Sequence, residues 1–118
     1  MYSFALVVAL LGTPAAAPPN RPPNITSTPT TTVASQTAYT YSVTATDPDN
    51  DPVTFSLLDP PAGMTIDAQG VIRWTPGAGE FGTYRIKVRA DDGRDGSTTQ
   101  EYDLVVQLPP PPPAPDPE

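Results

Sequence analysis

"YTYSVTATDPDNDPVTFSL", residues 39–57, places two alternating runs on either side of a knot of aspartate, proline and asparagine. In the first run Tyr39, Tyr41, Val43 and Ala45 fall on one side of an extended chain, with Thr40, Ser42 and Thr44 on the other. In the second, Val53, Phe55 and Leu57 alternate with Thr54 and Ser56. A period of two marks a half-buried strand, so the stretch predicts a strand, a polar turn and a returning strand. The turn, Asp47-Pro48-Asp49-Asn50-Asp51, admits two readings. Asp, Asn and Pro are preferred turn formers, and a charged surface turn needs no ion. Alternate carboxylates of a tight Asp-x-Asp-x-Asp turn can also converge on one centre, which suits the oxygen-rich coordination of Ca²⁺.

The same period extends outward. "YRIKVRA" (84–90) sends Tyr84, Ile86, Val88 and Ala90 inward and turns Arg85, Lys87 and Arg89 to water. "YDLVVQL" (102–108) assigns Tyr102, Leu104, Val106 and Leu108 to the core. Shorter runs, "MTI" (64–66) and "VIRW" (71–74), bracket the turn "DAQG", and "NITSTPTTTV" (24–33) forms a broken first strand. No window carries a helical repeat. About seven antiparallel strands in roughly 85 residues predict an all-β sandwich with Greek-key connections. Its core holds Trp74, Tyr41, Phe55, Ile86, Val88 and Leu104, with Trp74 as its largest side chain rather than an exposed stacking platform. If successive strands alternate in direction, the turns after the second, fourth and sixth strands return to one pole. Asp47, Asp49, Asp51, Asp67, Asp91, Asp92 and Asp95 then gather there with Asn20 and Asn24.

The ends have a different composition. Residues 1–23 read as a leader plus a Pro-rich linker, residues 24–108 as the sandwich, and residues 109–118 as a second Pro-rich linker. Two interpretations fit "MYSFALVVALLGTPAAA": a secretory signal with a short apolar core, or the last strand of a preceding repeat. "YSFALVV" has the form of "YDLVVQLPP" near the other end. Both interpretations place the chain outside the cytoplasm. The proline tracts favour polyproline II, which makes semi-rigid spacers expected to leave the sandwich untouched up to about Arg21 and from about Pro109.

Composition narrows the chemistry. The chain has no histidine and no cysteine, which removes Ser/His/Asp and Cys/His triads as well as disulfides. Its net charge of -7 and lack of a basic stripe argue against nucleic acid as a partner. The apolar run at the start is too short to insert across a membrane. Asp91 and Asp92 are adjacent on one loop and cannot flank a glycosidic bond from opposite sides. "GAGEFG" (77–82) lies between strands rather than before a helix, so it is no phosphate loop. "NIT" (24–26) matches the glycosylation sequon, which matters only in a eukaryotic secretory pathway. An acidic surface without soft ligands leaves Ca²⁺ as the natural small partner, with Asp47, Asp49, Asp51, Asp91 and Asp92 as candidate ligands.

Three blocks in order, "YTYSVTATDPDNDPVTFSL", "PPAGMTIDAQGVIRWTP" and "GTYRIKVRADDGRDGSTTQEYDLVV", resemble a cadherin-like, dystroglycan-type immunoglobulin-fold repeat of bacterial surface and secreted proteins. The resemblance spans Asn20 to Gln107. It implies an Ig-like, non-catalytic extracellular module for adhesion or spacing, often with Ca²⁺. Partners would be neighbouring repeats, another surface protein or a glycan. Asp47 and Asp49 stand where such repeats carry an Asp-x-Asp calcium motif. The preceding linker, "PPNRPPNIT", has Asn20 and Asn24 but no carboxylate, and the opposite pole offers only Glu80, so the sequence departs from the full inter-repeat pattern. A carbohydrate- or ligand-binding accessory module of a secreted enzyme is the alternative, and it would require exposed aromatic side chains.

Overall fold

The computed structural model of the chain describes residues 18–109 and 111–117, so both interpretations of the first 17 residues lie outside the described residues. The described chain is all β. Its strands are β1 (Asn24–Ile25), β2 (Thr32–Ala34), β3 (Tyr39–Ser42), β4 (Ala45–Thr46), β5 (Thr54–Leu58), β6 (Thr65–Ile66), β7 (Val71–Trp74), β8 (Gly82–Asp91) and β9 (Ser97–Gln107). One sheet has the order β2-β9-β8-β5, the facing sheet the order β3-β7-β6, and β1 pairs with β4. This is an Ig-like β-sandwich.

Nine strands among the described residues replace the expected seven because two of those seven are interrupted. The first is cut into β1 and β2 around Pro29, which cannot donate to a ladder. The second is cut into β3 and β4 where it changes partner from β7 to β1: Val43 still donates to the Gly70 carbonyl, but the Gly70 amide turns to the Asp67 carbonyl and the rung stays half-made. The expectation of purely antiparallel pairing also needs correction, since β2 runs parallel to β9.

The frame of the molecule is the β8–β9 hairpin, paired from Gly82↔Val106 to Asp91↔Ser97. Alternation along it puts Ile86, Val88 and Leu104 at zero exposure and leaves Arg85 and Arg89 in solvent. Each aliphatic side chain buried in this way stabilises the fold by about 1.5–3 kcal/mol. Tyr39, Tyr41, Val43, Ile72, Trp74, Tyr102 and Val106 complete the core with Met64, while Phe55 and Leu57 on the edge strand β5 are half-buried. Trp74 donates its indole N–H to the Ala62 carbonyl (3.1 Å) and meets Tyr84 edge-on at 5.2 Å. Leu108 does not join the core. It lies past the end of β9, 69% exposed, because the ladder stops at Gln107 before the prolines.

Buried hydroxyls tie the irregular first segment to both sheets. Tyr39 donates to the Thr30 carbonyl (2.7 Å), which spends its only proton, so the Tyr102 hydroxyl at 2.9 Å must donate to Tyr39. Tyr41 donates to Gln100 (2.8 Å) and contacts the Ser27 hydroxyl (2.7 Å).

Candidate metal centre

Three turns at one end of the sandwich share one local chemistry. In each, an aspartate Oδ1 accepts the amides two and four residues ahead. Asp47 takes Asp49 (2.8 Å) and Asp51 (3.1 Å), and Asp67 takes Gln69 (2.9 Å) and Val71 (3.0 Å). Asp92 takes Arg94 (2.8 Å) and Gly96 (3.0 Å). The third residue after each aspartate is left-handed: Asn50 at φ 60°, Gly70 at 89° and Asp95 at 67°. Asn, Gly and Asp tolerate that conformation best, so Asp-x-x-(Asn/Gly/Asp) is the sequence signal for this turn.

The second carboxylate oxygen distinguishes the three. Asp67 Oδ2 accepts from Arg73 (2.9 Å), and Asp92 Oδ2 accepts from the Asn20 amide (2.8 Å). Asp47 Oδ2 is buried with no donor, and so are Asp51 Oδ2 and Asn20 Oδ1. Only one other buried side-chain polar atom among the described residues is in that position, the Ser35 hydroxyl. Asp47, Asp49 and Asp51 each place a carboxylate oxygen within 4.8 Å of the others.

The expected ligands are therefore distributed unevenly. Asp47 and Asp51 present unsatisfied oxygens. Asp49 belongs to the same cluster, but both of its oxygens are engaged by Arg21, whose side chain reaches Oδ1 (2.8 Å) and whose backbone N–H reaches Oδ2 (2.8 Å). Those hydrogen bonds, the side-chain one foremost, hold the Asp49 carboxyl below its ordinary range. Asp91 stays outside the cluster, bonded to Gly93 N–H (2.7 Å) and Arg89 (3.1 Å). Asp92 is also outside it and almost fully buried. Burial pushes the Asp92 carboxyl up, but the Asn20 amide and the Arg94 and Gly96 N–H groups outweigh that and leave it lowered. Asp67 is turned to its own loop, its carboxyl lowered first by the Val71 N–H and then by Arg73.

Composition alone did not find Arg94 or Arg21. Arg94 reaches Asp51 Oδ1 at 3.5 Å, and Arg21 overturns the expectation that the linker up to that residue makes no tertiary contacts. An open cavity of about 550 Å³ adjoins the cluster, lined by Val43, Thr44, Asp47, Asn50, Asp51 and Phe55 among others.

Residues 22–107 match the family described as "Putative Ig domain". The chain belongs to that family. No curated protein matches it. Among solved structures, this Ig domain is similar to a putative alpha-galactosidase of Bacteroides fragilis (17% identity, TM-score 0.61), over 74% of this chain and 18% of that one. A putative alpha-galactosidase/melibiase of the same species gives 22% identity and a TM-score of 0.57, over 74% and 18%. Human protocadherin-24 EC1-2 gives 18% identity and a TM-score of 0.56, over 75% of this chain and 44% of the other. The Ig domain thus spans less than half of each of these chains, and the likeness at such identities is one of fold.

Proposed function

We propose that this Ig domain is a non-catalytic extracellular module, an adhesion or spacer repeat, that binds Ca²⁺ at the pole where its N-terminal linker docks. Asp47 Oδ2, Asp51 Oδ2 and Asn20 Oδ1 are the ligands and water completes the shell, while Asp49 stays with Arg21. What carries the reading is that three of the four donorless buried oxygens among the described residues belong to this one pole. A buried acceptor without a donor costs about 1–3 kcal/mol, and a hard cation removes that cost from all three at once. The spacer role rests on the path of the chain. The linker docks beside the 91–96 turn, and β9 then carries the chain away over Ser97–Gln107, roughly 33 Å at about 3.3 Å per residue. Against the accessory-module alternative, Tyr39, Tyr41, Trp74 and Tyr102 are buried, and Phe81 is the one exposed aromatic ring among the described residues.

The test is a melt of the full chain with and without millimolar Ca²⁺. At a hundredfold excess over Kd, binding adds about 2.7 kcal/mol, which raises Tm by on the order of 10 °C for a domain this size. Asp47→Asn with Asp51→Asn should abolish the shift. An amide side chain in place of Asp47 keeps a carbonyl oxygen that can accept the two turn amides, so the fold should survive. Asp103→Asn, on the exposed face beside Arg85, should leave the shift intact. A wild-type melt indifferent to Ca²⁺ would return Asp47–Asp51 to the status of a polar turn.

A further inference from the structure

The docked linker carries an inference that does not depend on the metal. From Asn20 to Asn24, four of the five residues are held by a different part of the sandwich. The Asn20 amide donates to Asp92 Oδ2 and to the Arg94 carbonyl, both at 2.8 Å, which fastens it to the 91–96 turn. Arg21 grips the 47–51 turn: its backbone N–H and its Nη2 and Nε reach Asp49, and Nη2 also reaches the Pro48 carbonyl at 3.1 Å. Pro23 is buried, and its carbonyl accepts from the Thr98 hydroxyl. Asn24 then enters the ladder opposite Thr46. Pro22 and Pro23 fix their own φ and push the residue before each toward extended backbone, so little freedom remains between the anchored points.

We propose that Asn20–Pro23 is a clamp that fixes the direction from which the preceding polypeptide approaches the sandwich, and that the Arg21–Asp49 fork closes it without a metal ion. The planar guanidinium brings Nε (3.2 Å) and Nη2 (2.8 Å) to Oδ1 while the Arg21 N–H takes Oδ2, so side chain and backbone together set an angle as well as a distance, which a point charge cannot do. The pair is partly solvated, with side-chain exposures of 62% and 21%, so the clamp loosens as salt screens it.

The test is ¹⁵N relaxation on the full 118-residue chain in chelator. The order parameters of Asn20 and Arg21 should match those of β9, near about 0.85. Asp49→Ala removes every acceptor that Arg21 uses except the Pro48 carbonyl, and should drop Arg21 below about 0.6 while β9 is unchanged. Arg21→Gln, which keeps the backbone N–H bond, should fall between the two. Arg21→Lys should recover little, since an ammonium lacks the fork. Tail-like mobility of Asn20 and Arg21 in the chelated wild type would overturn the clamp, and so would wild-type order in Asp49→Ala. Order that appears only on adding Ca²⁺ would overturn it as well, because the ion rather than the arginine would then hold the linker.

Discussion

Replacing Tyr39 by phenylalanine should destabilise the fold more than replacing Tyr102, although the two hydroxyls touch each other. Tyr39 spends its one proton on the Thr30 carbonyl and accepts the proton of Tyr102. Tyr102→Phe therefore removes one hydrogen bond and strands no donor, at a cost of about 1 kcal/mol. Tyr39→Phe removes two bonds, leaves the buried Tyr102 hydroxyl with no acceptor and strips a donor from Thr30, at about 2–3 kcal/mol. In the Tyr39→Phe background the second substitution removes a stranded donor, so the double variant should be no less stable than Tyr39→Phe alone. Urea unfolding of the four proteins gives the cycle, with a coupling of at least about 1 kcal/mol expected between adjacent groups. Burial, foremost, raises both hydroxyl pKa values. The folded state thus holds protons that the unfolded chain releases above its value near 10, so the contribution of the two tyrosines is level below pH 10 and falls as pH rises beyond it. The slope is at most about 1.4 kcal/mol per pH unit for each tyrosine, and Tyr102→Phe should make it shallower. Additive costs, or a costlier Tyr102→Phe, would refute the assigned proton directions.

Leu104→Ala, at a fully buried site, should cost about 2–5 kcal/mol in urea unfolding, whereas Leu108→Ala at an exposed one should stay within about 0.5 kcal/mol. Asp49 and Asp92 carboxyls are held low, so their contribution is present above the unfolded value near 4 and lost as pH falls through the lower folded values. Asp92→Asn should flatten the acid limb of the stability profile measured by thermal melts from pH 2 to 5, and an unchanged limb would show that Asp92 does not gain its charge-stabilising bonds.

Strand phase was legible because alternation is a local property. "YRIKVRA" states on its own that Ile86 and Lys87 face opposite ways, and a one-residue slip would have inverted the whole strand. Leu108 was misread because the same alternation continues for one residue past the last ladder bond, and only the following prolines mark the end of pairing. The parallel β2–β9 pair was not legible, since a partner 73 positions away in Thr32↔Val105 leaves no periodic trace. At the pole, the sequence showed where acidic groups collect but not which oxygens are already satisfied. That depends on Arg21, Asn20 and Arg94, whose long-range contacts with the acidic turns span 27 to 74 positions.

The repeated turn answers the question posed by Asp47–Asp51 better than either reading alone. One turn geometry occurs three times, and in two of them both carboxylate oxygens are satisfied, at Asp67 by local donors and at Asp92 with the help of the distant Asn20 amide. The aspartate is therefore required by the fold at Asp67 and Asp92, where an amide or guanidinium takes the second oxygen and no cation is called for. At Asp47 the first oxygen performs the same folding task, so the turn forms with or without an ion. The second oxygen is surplus, and it is buried alongside a surplus oxygen on Asp51. Asn20 adds a third, and its amide nitrogen is what fastens the linker to Asp92. One side chain therefore serves both the linker and the candidate ion. A cation that drew in the Asn20 carbonyl would tighten the segment that Arg21 already grips, and metal affinity and linker order should rise together.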